Sequence, residues 1–169
     1  MSQQLATIGY EGAALPDFIA ALLRAGVERV VDVRQIAQSR KAGFSKNAFR
    51  KALAENGIEY YHLRQLGDPK LGREAARAGH FDLFKAIFSA HLDLPTSQEA
   101  LREAVLLATQ KLSALVCYEN DPTHCHRTIV ASRMAHLRSF KITNLAVRPR
   151  CGQEIRQNAA STDRLVGAC

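Results

Sequence analysis

The sequence predicts an α/β fold: a Rossmann-like three-layer arrangement around a mostly parallel five-stranded sheet. Three observations carry that expectation. Short β-rich runs alternate with amphipathic helical runs, so each strand is followed by a crossover. One run, Ala114 to Tyr118, is apolar on both faces, as a strand covered on two sides must be. The chain has 169 residues and is 47% hydrophobic, enough for one sizeable core and too apolar for disorder.

The elements follow in order. Leu5 to Tyr10 reads as the first strand. Phe18, Ile19, Leu22 and Leu23 recur at helical spacing, with Pro16 suited to the first turn and Gly26 to the stop. Val30 to Val33 is the second strand. Ser45 can cap a helix carrying Phe49 and Leu53, ended by Gly57. Ile58 to Leu63 is the third strand. The stretch 67–79 reads as a loop with one short helix. Phe81, Phe84, Ile87, Phe88 and Leu92 mark another helix. Thr96 and Glu99 have capping-box spacing before Leu101, Val105, Ala108 and Leu112. After the fourth strand, Ile129, Val130, Met134 and Leu137 form a helix, and Ile142 to Val147 the fifth strand. One domain over 1–148 and a polar tail over 149–169 are expected.

Lys plus Arg number 23 against 16 Asp plus Glu, a formal net charge of +7. Two windows contain bases and no acid. The window 34–51 holds Arg34, Arg40, Lys41, Lys46, Arg50 and Lys51; the window 122–153 holds Arg127, Arg133, Arg138, Lys141, Arg148 and Arg150. Such stretches attract polyanions if they meet on one surface, and are otherwise solvated faces. No apolar run reaches the roughly 18 residues of a spanning helix. Met1-Ser2-Gln3-Gln4 lacks a signal-peptide pattern. Cys117, Cys125, Cys151 and Cys169 are irregularly spaced, so the expectation is a reduced, cytoplasmic setting without disulfides.

The expected strand order is 3-2-1-4-5, with 2-1-3-4-5 as the alternative. Ligands bind beyond the carboxyl ends of such strands, where the order reverses, here between strands one and four. Gly9-Tyr10-Glu11-Gly12 can project Tyr10 and Glu11 there, or be an ordinary turn. No GxGxxG occurs, and no cofactor is expected. Asp32 and Arg34 share a face, so Asp32 can orient Arg34 toward an anion, with Ser39 and Arg40 in the following loop. The same pair could equally be an internal salt bridge.

The densest chemistry follows strand four, from Cys117 to Arg127. Glu119 shares a face with Cys117, and partial burial can raise its pKa for general acid or base work. Cys125, His126 and Arg127 fall at the start of a helix, which favours anions and acidifies a thiol. Three readings compete. Glu119 acts with His126; or Cys125 is a nucleophile beside His126; or zinc is held by Cys117, Cys125 and His126 or His124. Zinc is the weakest, because no short C-x₂₋₄-C pair is present, and no metal site is expected.

These motifs together resemble the bacterial and archaeal family called domain of unknown function 488. The resemblance runs from Thr7 to Val147. It rests on Thr7-Ile8-Gly9-Tyr10-Glu11-Gly12, on Val31-Asp32-Val33-Arg34 with Ser39-Arg40 and Gly43-Phe44-Ser45, and on Gly57-Ile58-Glu59-Tyr60 with His62-Leu63. It continues through Leu66-Gly67, Cys117-Tyr118-Glu119, Asp121-Pro122 and Cys125-His126-Arg127. Two positions depart from the family pattern: Ala37, where Pro is common, and Asp68, where a second Gly often follows Gly67. The resemblance implies a compact α/β fold and supplies no reaction.

The sequence thus predicts an anion-binding crevice formed by Tyr10, Glu11, Asp32, Arg34, Ser39, Arg40, Cys117 and Arg127 around Glu119, His126 and Cys125. The leading function is a hydrolase or glycosidic-bond-cleaving enzyme acting on a phosphate-bearing ligand, nucleotide or nucleic acid. The alternatives are a nucleic-acid-binding module without catalysis and a thiol-dependent enzyme using Cys125.

Overall fold

The computed structural model describes residues 3–149. Its strands are β1 (Gln3–Gly9), β2 (Arg29–Asp32), β3 (Glu59–His62), β4 (Ser113–Cys117) and β5 (Phe140–Leu145). They form one sheet in which every pairing is parallel. The helices are α1 (Leu15–Arg24), α2 (Lys46–Glu55), α3 (Lys70–Arg77), α4 (Phe81–Leu92), α5 (Pro95–Gln110) and α6 (His126–Leu137). Two 3-10 turns, Arg64–Leu66 and Pro122–His124, complete the connections. The tail expected from residue 149 lies, beyond Pro149, outside the described residues, as do Cys151 and Cys169. No helix among the described residues is long and apolar enough to cross a membrane.

The strand order is β3-β2-β4-β1-β5, which corrects the expected 3-2-1-4-5. Alternation of strands and helices dictates parallel pairing but not which strand is inserted at the centre. β4 is buried at all five positions and takes that place, with Ala114 beside both Ala6 and Val30. β5 closes one edge and leaves Lys141 to Asn144 exposed.

Side chains alternate to the two faces of the sheet. Ala6, Ile8, Val30, Ala114 and Val116 pack against Phe18 and Leu22 of α1 and Phe49 and Leu53 of α2. On the other face, Leu5, Val31 and Leu115 meet Phe84, Phe88, Leu101 and Ala104 and the α6 residues Val130 and Met134. Full burial of each large apolar side chain contributes roughly 1.5–3 kcal/mol. Helix α5 begins one residue before the expected cap: Leu94 occupies the N-cap and Pro95 the first turn. Ser97 is instead buried, and its hydroxyl donates to the Gln65 carbonyl.

Because α1 and α6 pack on opposite faces, the chain leaves the neighbouring ends of β1 and β4 in opposite directions. That divergence opens the ground on which the site is built.

Candidate functional site

The loop after β4 is held by its neighbours. A Cβ on Gly9 would lie 1.8 Å from the Glu119 carbonyl oxygen, so only glycine fits at the end of β1. The amides of Tyr10 and Glu11 donate to the Cys117 and Tyr118 carbonyls. Arg127 on α6 reaches back beneath the loop. Its guanidinium donates to the carbonyls of Glu119 and Asn120, and its Nε to Thr7 Oγ1. Asp121 caps the following 3-10 turn by accepting from the Thr123 amide, and the turn delivers Cys125 to the N-cap of α6.

These restraints gather two thiols, a carboxylate and an imidazole. Glu119 Oε2 accepts from Cys117 Sγ at 2.9 Å and from Cys125 Sγ at 3.3 Å. His126 Nδ1 lies 3.4 Å from Cys117 Sγ, and Nε2 donates to the Val33 carbonyl at 2.8 Å. The four donor atoms lie within 4.8 Å of one another. The spacing argument against zinc missed this set, because Glu119 adds a fourth donor that no cysteine motif announces. His124 is not part of it; it stacks on Phe81 with ring centroids 4.0 Å apart.

The electrostatics differ from the expected pattern. Burial would raise the Glu119 pKa, but the Cys117 thiol, His126 and Cys125 outweigh it and hold the carboxyl below its ordinary value. Burial pushes the Cys125 thiol well above its ordinary value, and burial raises Cys117 too. A free Cys125 thiolate is therefore disfavoured, against the expected acidification at a helix start. Burial disfavours charge on His126, yet its bonds to Cys125 and Val33 and the nearby Glu119 raise its pKa.

Asp32 and Arg34 form a buried pair beside this cluster. Asp32 Oδ2 accepts from Arg34 Nη2 at 2.6 Å and from the Tyr60 hydroxyl at 2.7 Å. Arg34 Nη1 also donates to the Tyr10 hydroxyl and to the Phe44 carbonyl. Most of the guanidinium is thus committed internally, and Asp32, fully buried, does not line the cleft.

A cleft of about 420 Å³ opens over the cluster. Of the expected residues, it brings together Tyr10, Arg34, Ser39, Arg40, Cys117, Glu119 and His126. Cys125 lies beneath, 2% exposed. Glu11 stays outside the lining and accepts from the Asn120 amide. Arg127 also stays outside, because its donors are turned to backbone carbonyls; the expected gathering of Arg34, Arg40 and Arg127 on one anion does not form.

The cleft has three further charged residues that sequence reasoning missed: Asp68, Arg73 and Arg77. Arg73 and Arg77 stand four apart on α3 and so share one face, a signal that was available. Arg73 donates to Gln35 Oε1 and to the Asp68 carbonyl. Asp68 is 7% exposed, and its Oδ1 is buried with no hydrogen-bond partner. A Cβ on Gly72 would lie 2.0 Å from that oxygen, so glycine on α3 makes its seat. Burial outweighs the attraction of His126 and Arg73 and, with Glu119 opposing ionisation, lifts the Asp68 pKa to about 6.

A larger depression of about 710 Å³ lies beside the start of α2, lined by Gln35, Ser45, Lys46, His62 and Arg64 among others. It has no carboxyl or thiol in its lining; both kinds of group line the smaller cleft. The outer parts of the two basic windows lie at opposite edges of the sheet. Lys46 to Lys51 belong to α2, which packs on β3 at one edge of the sheet, whereas Lys141 lies on β5 at the other.

No curated protein and no solved structure matches the chain. A family match does: the family described as Domain of unknown function DUF488 covers residues 14–134, spanning every element from the start of α1 into α6. On that match, together with the Asp32–Arg34 pair and the Cys117–Arg127 loop that carry the resemblance, the chain belongs to the DUF488 family.

Proposed function

We propose that the protein is an enzyme that holds a phosphate-bearing ligand, a nucleotide or nucleic acid, in the cleft and cleaves one of its bonds hydrolytically, a glycosidic bond fitting best. One observation carries this reading: the same cleft collects Arg40, Arg73 and Arg77 together with two carboxyl groups, Asp68 and Glu119. Guanidinium groups suit bidentate recognition of phosphate. Arg40 and Arg77 are exposed and carry that contact at the mouth. Tyr118, 47% exposed in the same lining, offers a ring on which a base can stack.

The two carboxyls are biased in opposite directions, Glu119 toward the anion and Asp68 toward the acid. Division of labour between two such groups is the pattern of glycosidic cleavage. Asp68 protonates the leaving group, and Glu119 meets the developing positive charge or takes a proton from water. Cys125 lies behind Glu119 and donates to it, and His126 stands beside it in the cleft lining. The binding-module reading has less support, since Arg127 is buried against backbone carbonyls and the lysines of α2 and β5 sit at opposite edges of the sheet. The thiol-enzyme reading has less support too, since Cys125 is buried away from the cleft lining.

The test is calorimetric titration with nucleoside 5′-monophosphates. Binding should weaken with salt and fall about 10-fold or more in the Arg40→Ala/Arg77→Ala double variant, the scale of one charged hydrogen bond. No binding by the unaltered chain, or binding indifferent to both arginines, overturns the reading.

A further inference from the structure

We infer that Cys117, Glu119, Cys125 and His126 form a binding site for a borderline-soft divalent cation, zinc foremost, in the floor of the cleft. The first argument is geometry. Four ligands around zinc, with bonds of about 2.0–2.3 Å, stand roughly 3.3–3.8 Å apart in a tetrahedron. Here Cys117 Sγ lies 3.4 Å from His126 Nδ1, Cys125 Sγ lies 3.3 Å from Glu119 Oε2, and all four donor atoms fall within 4.8 Å. Only small side-chain adjustments separate this set from coordination.

The second argument is the support around the donors. His126 Nε2–H donates to the Val33 carbonyl, which fixes the ring and leaves Nδ1 facing the thiols. Such an outer partner is the usual device for orienting a ligating histidine. Glu119 is fixed from behind by Arg127 and by the absence of a side chain at Gly9.

The third argument is charge. Both thiols point at one carboxylate oxygen. Among the described residues, no Lys or Arg bonds to any of the four donor atoms. Two thiolates and a carboxylate around a divalent ion make a set that is compact and nearly balanced. Two sulfurs with an imidazole select zinc over magnesium or calcium. Binding expels the two thiol protons and the Nδ1 proton of the charged His126 to solvent, as the sulfurs become thiolates and the ring becomes neutral. Glu119 is the only half-buried member, so of the four ligands it is the most open to the cleft.

The inference changes the work proposed for Glu119, from proton acceptor to ligand, and its test is separate from the nucleotide titration. The full chain is purified under reductant without chelator, and its zinc content is measured; the metal-free protein is then titrated with Co²⁺. About one ion per chain is expected, with the visible bands of tetrahedral cobalt and a thiolate-to-cobalt charge-transfer band. Cys125→Ser and His126→Ala should each weaken binding by more than about 100-fold, beyond the cost of losing an outer partner. Cys151→Ser/Cys169→Ser and Arg40→Ala/Arg77→Ala should leave it unchanged. If the ligand variants fail to fold, the cobalt spectrum of the unaltered chain still decides, because charge transfer requires sulfur ligation. Absence of that band, or a band that survives Cys117→Ser/Cys125→Ser, overturns the site. A missing ion with arginine-dependent nucleotide binding defeats only the metal; a bound ion without nucleotide affinity defeats only the proposed function.

Discussion

Gly9 and Glu119 meet backbone to side-chain position: the space a Cβ would need on Gly9 is held by the Glu119 carbonyl, 1.8 Å away. The obstruction is backbone, so no rotamer change relieves it. Gly9→Ala must push the β4 loop outward or pull β1 out of register. Overpacking of this kind costs typically 1–3 kcal/mol, and about that loss is expected in a denaturant melt. Nucleotide affinity should fall with it, because Glu119 moves. An alanine variant with unaltered stability and binding would show that the loop is not seated against β1.

Arg127 is 1% exposed and spends its donors on the Glu119 and Asn120 carbonyls and on Thr7. Arg127→Met keeps much of the volume and removes every donor. The half-buried Glu119 carbonyl and Thr7 then lose a charged partner, so about 2–6 kcal/mol should be lost, at roughly 1–3 kcal/mol for each of two groups left unsatisfied. Because Arg127 stands outside the cleft, the anion affinity of the molecules that remain folded should change less than in Arg40→Ala. Thermal melts beside the nucleotide titration measure both quantities.

Asp32 holds Arg34 in a buried ion pair and takes a third bond from Tyr60. Asp32→Asn leaves Arg34 buried without its counter-charge. A loss of about 3–5 kcal/mol is expected. Tyr60→Phe removes one hydrogen bond and should cost only about 1 kcal/mol. Equal, small losses for the two variants would contradict the pairing.

Asp68 makes the stability of the fold depend on pH in an unusual direction for a carboxyl. Its pKa is about 6 in the folded chain against 3.8 ordinarily. Between those values the folded state binds the extra proton, so stability declines as pH rises from about 4 to about 6 and stays lower above. Burial is what penalises the charge; Arg73 and His126 favour it and Glu119 opposes it. The shift corresponds to about 3 kcal/mol. Asp68→Asn should remove most of that slope and raise stability at pH 8 while lowering turnover. Melts of both proteins at pH 5 and pH 8 check it; an asparagine variant that is less stable at pH 8 sinks the assignment.

The strands and helices were readable because their apolar periods are strong, as at Phe18, Ile19 and Leu22, or Phe84 and Phe88. Strand order was not. Periodicity reports which face a residue presents, not its neighbour across the sheet, and the insertion of β4 between β2 and β1 is a property of distant pairings. The site divided in the same way. That Glu119, His126 and Arg40 line one cleft is legible because all three lie in connections that follow strand ends. Asp68 was seen only as a departure from a loop pattern, since its burial depends on Gly72 four residues later. Arg127 was read as an anion contact because sequence gives its charge but not the carbonyls that consume it.

Thr7 joins the two ends of a polar chain: it donates to Asn144 of β5 at 2.6 Å and accepts from Arg127, which in turn secures the Glu119 carbonyl. Asn144 lies near the end of β5, the last strand among the described residues to be synthesised. During translation, then, β1 and β4 can pair and the cleft can begin to form while this chain of bonds still lacks its final member. The loop carrying Glu119 becomes fully fixed only when β5 docks against β1, so completion of the site reports completion of the fold.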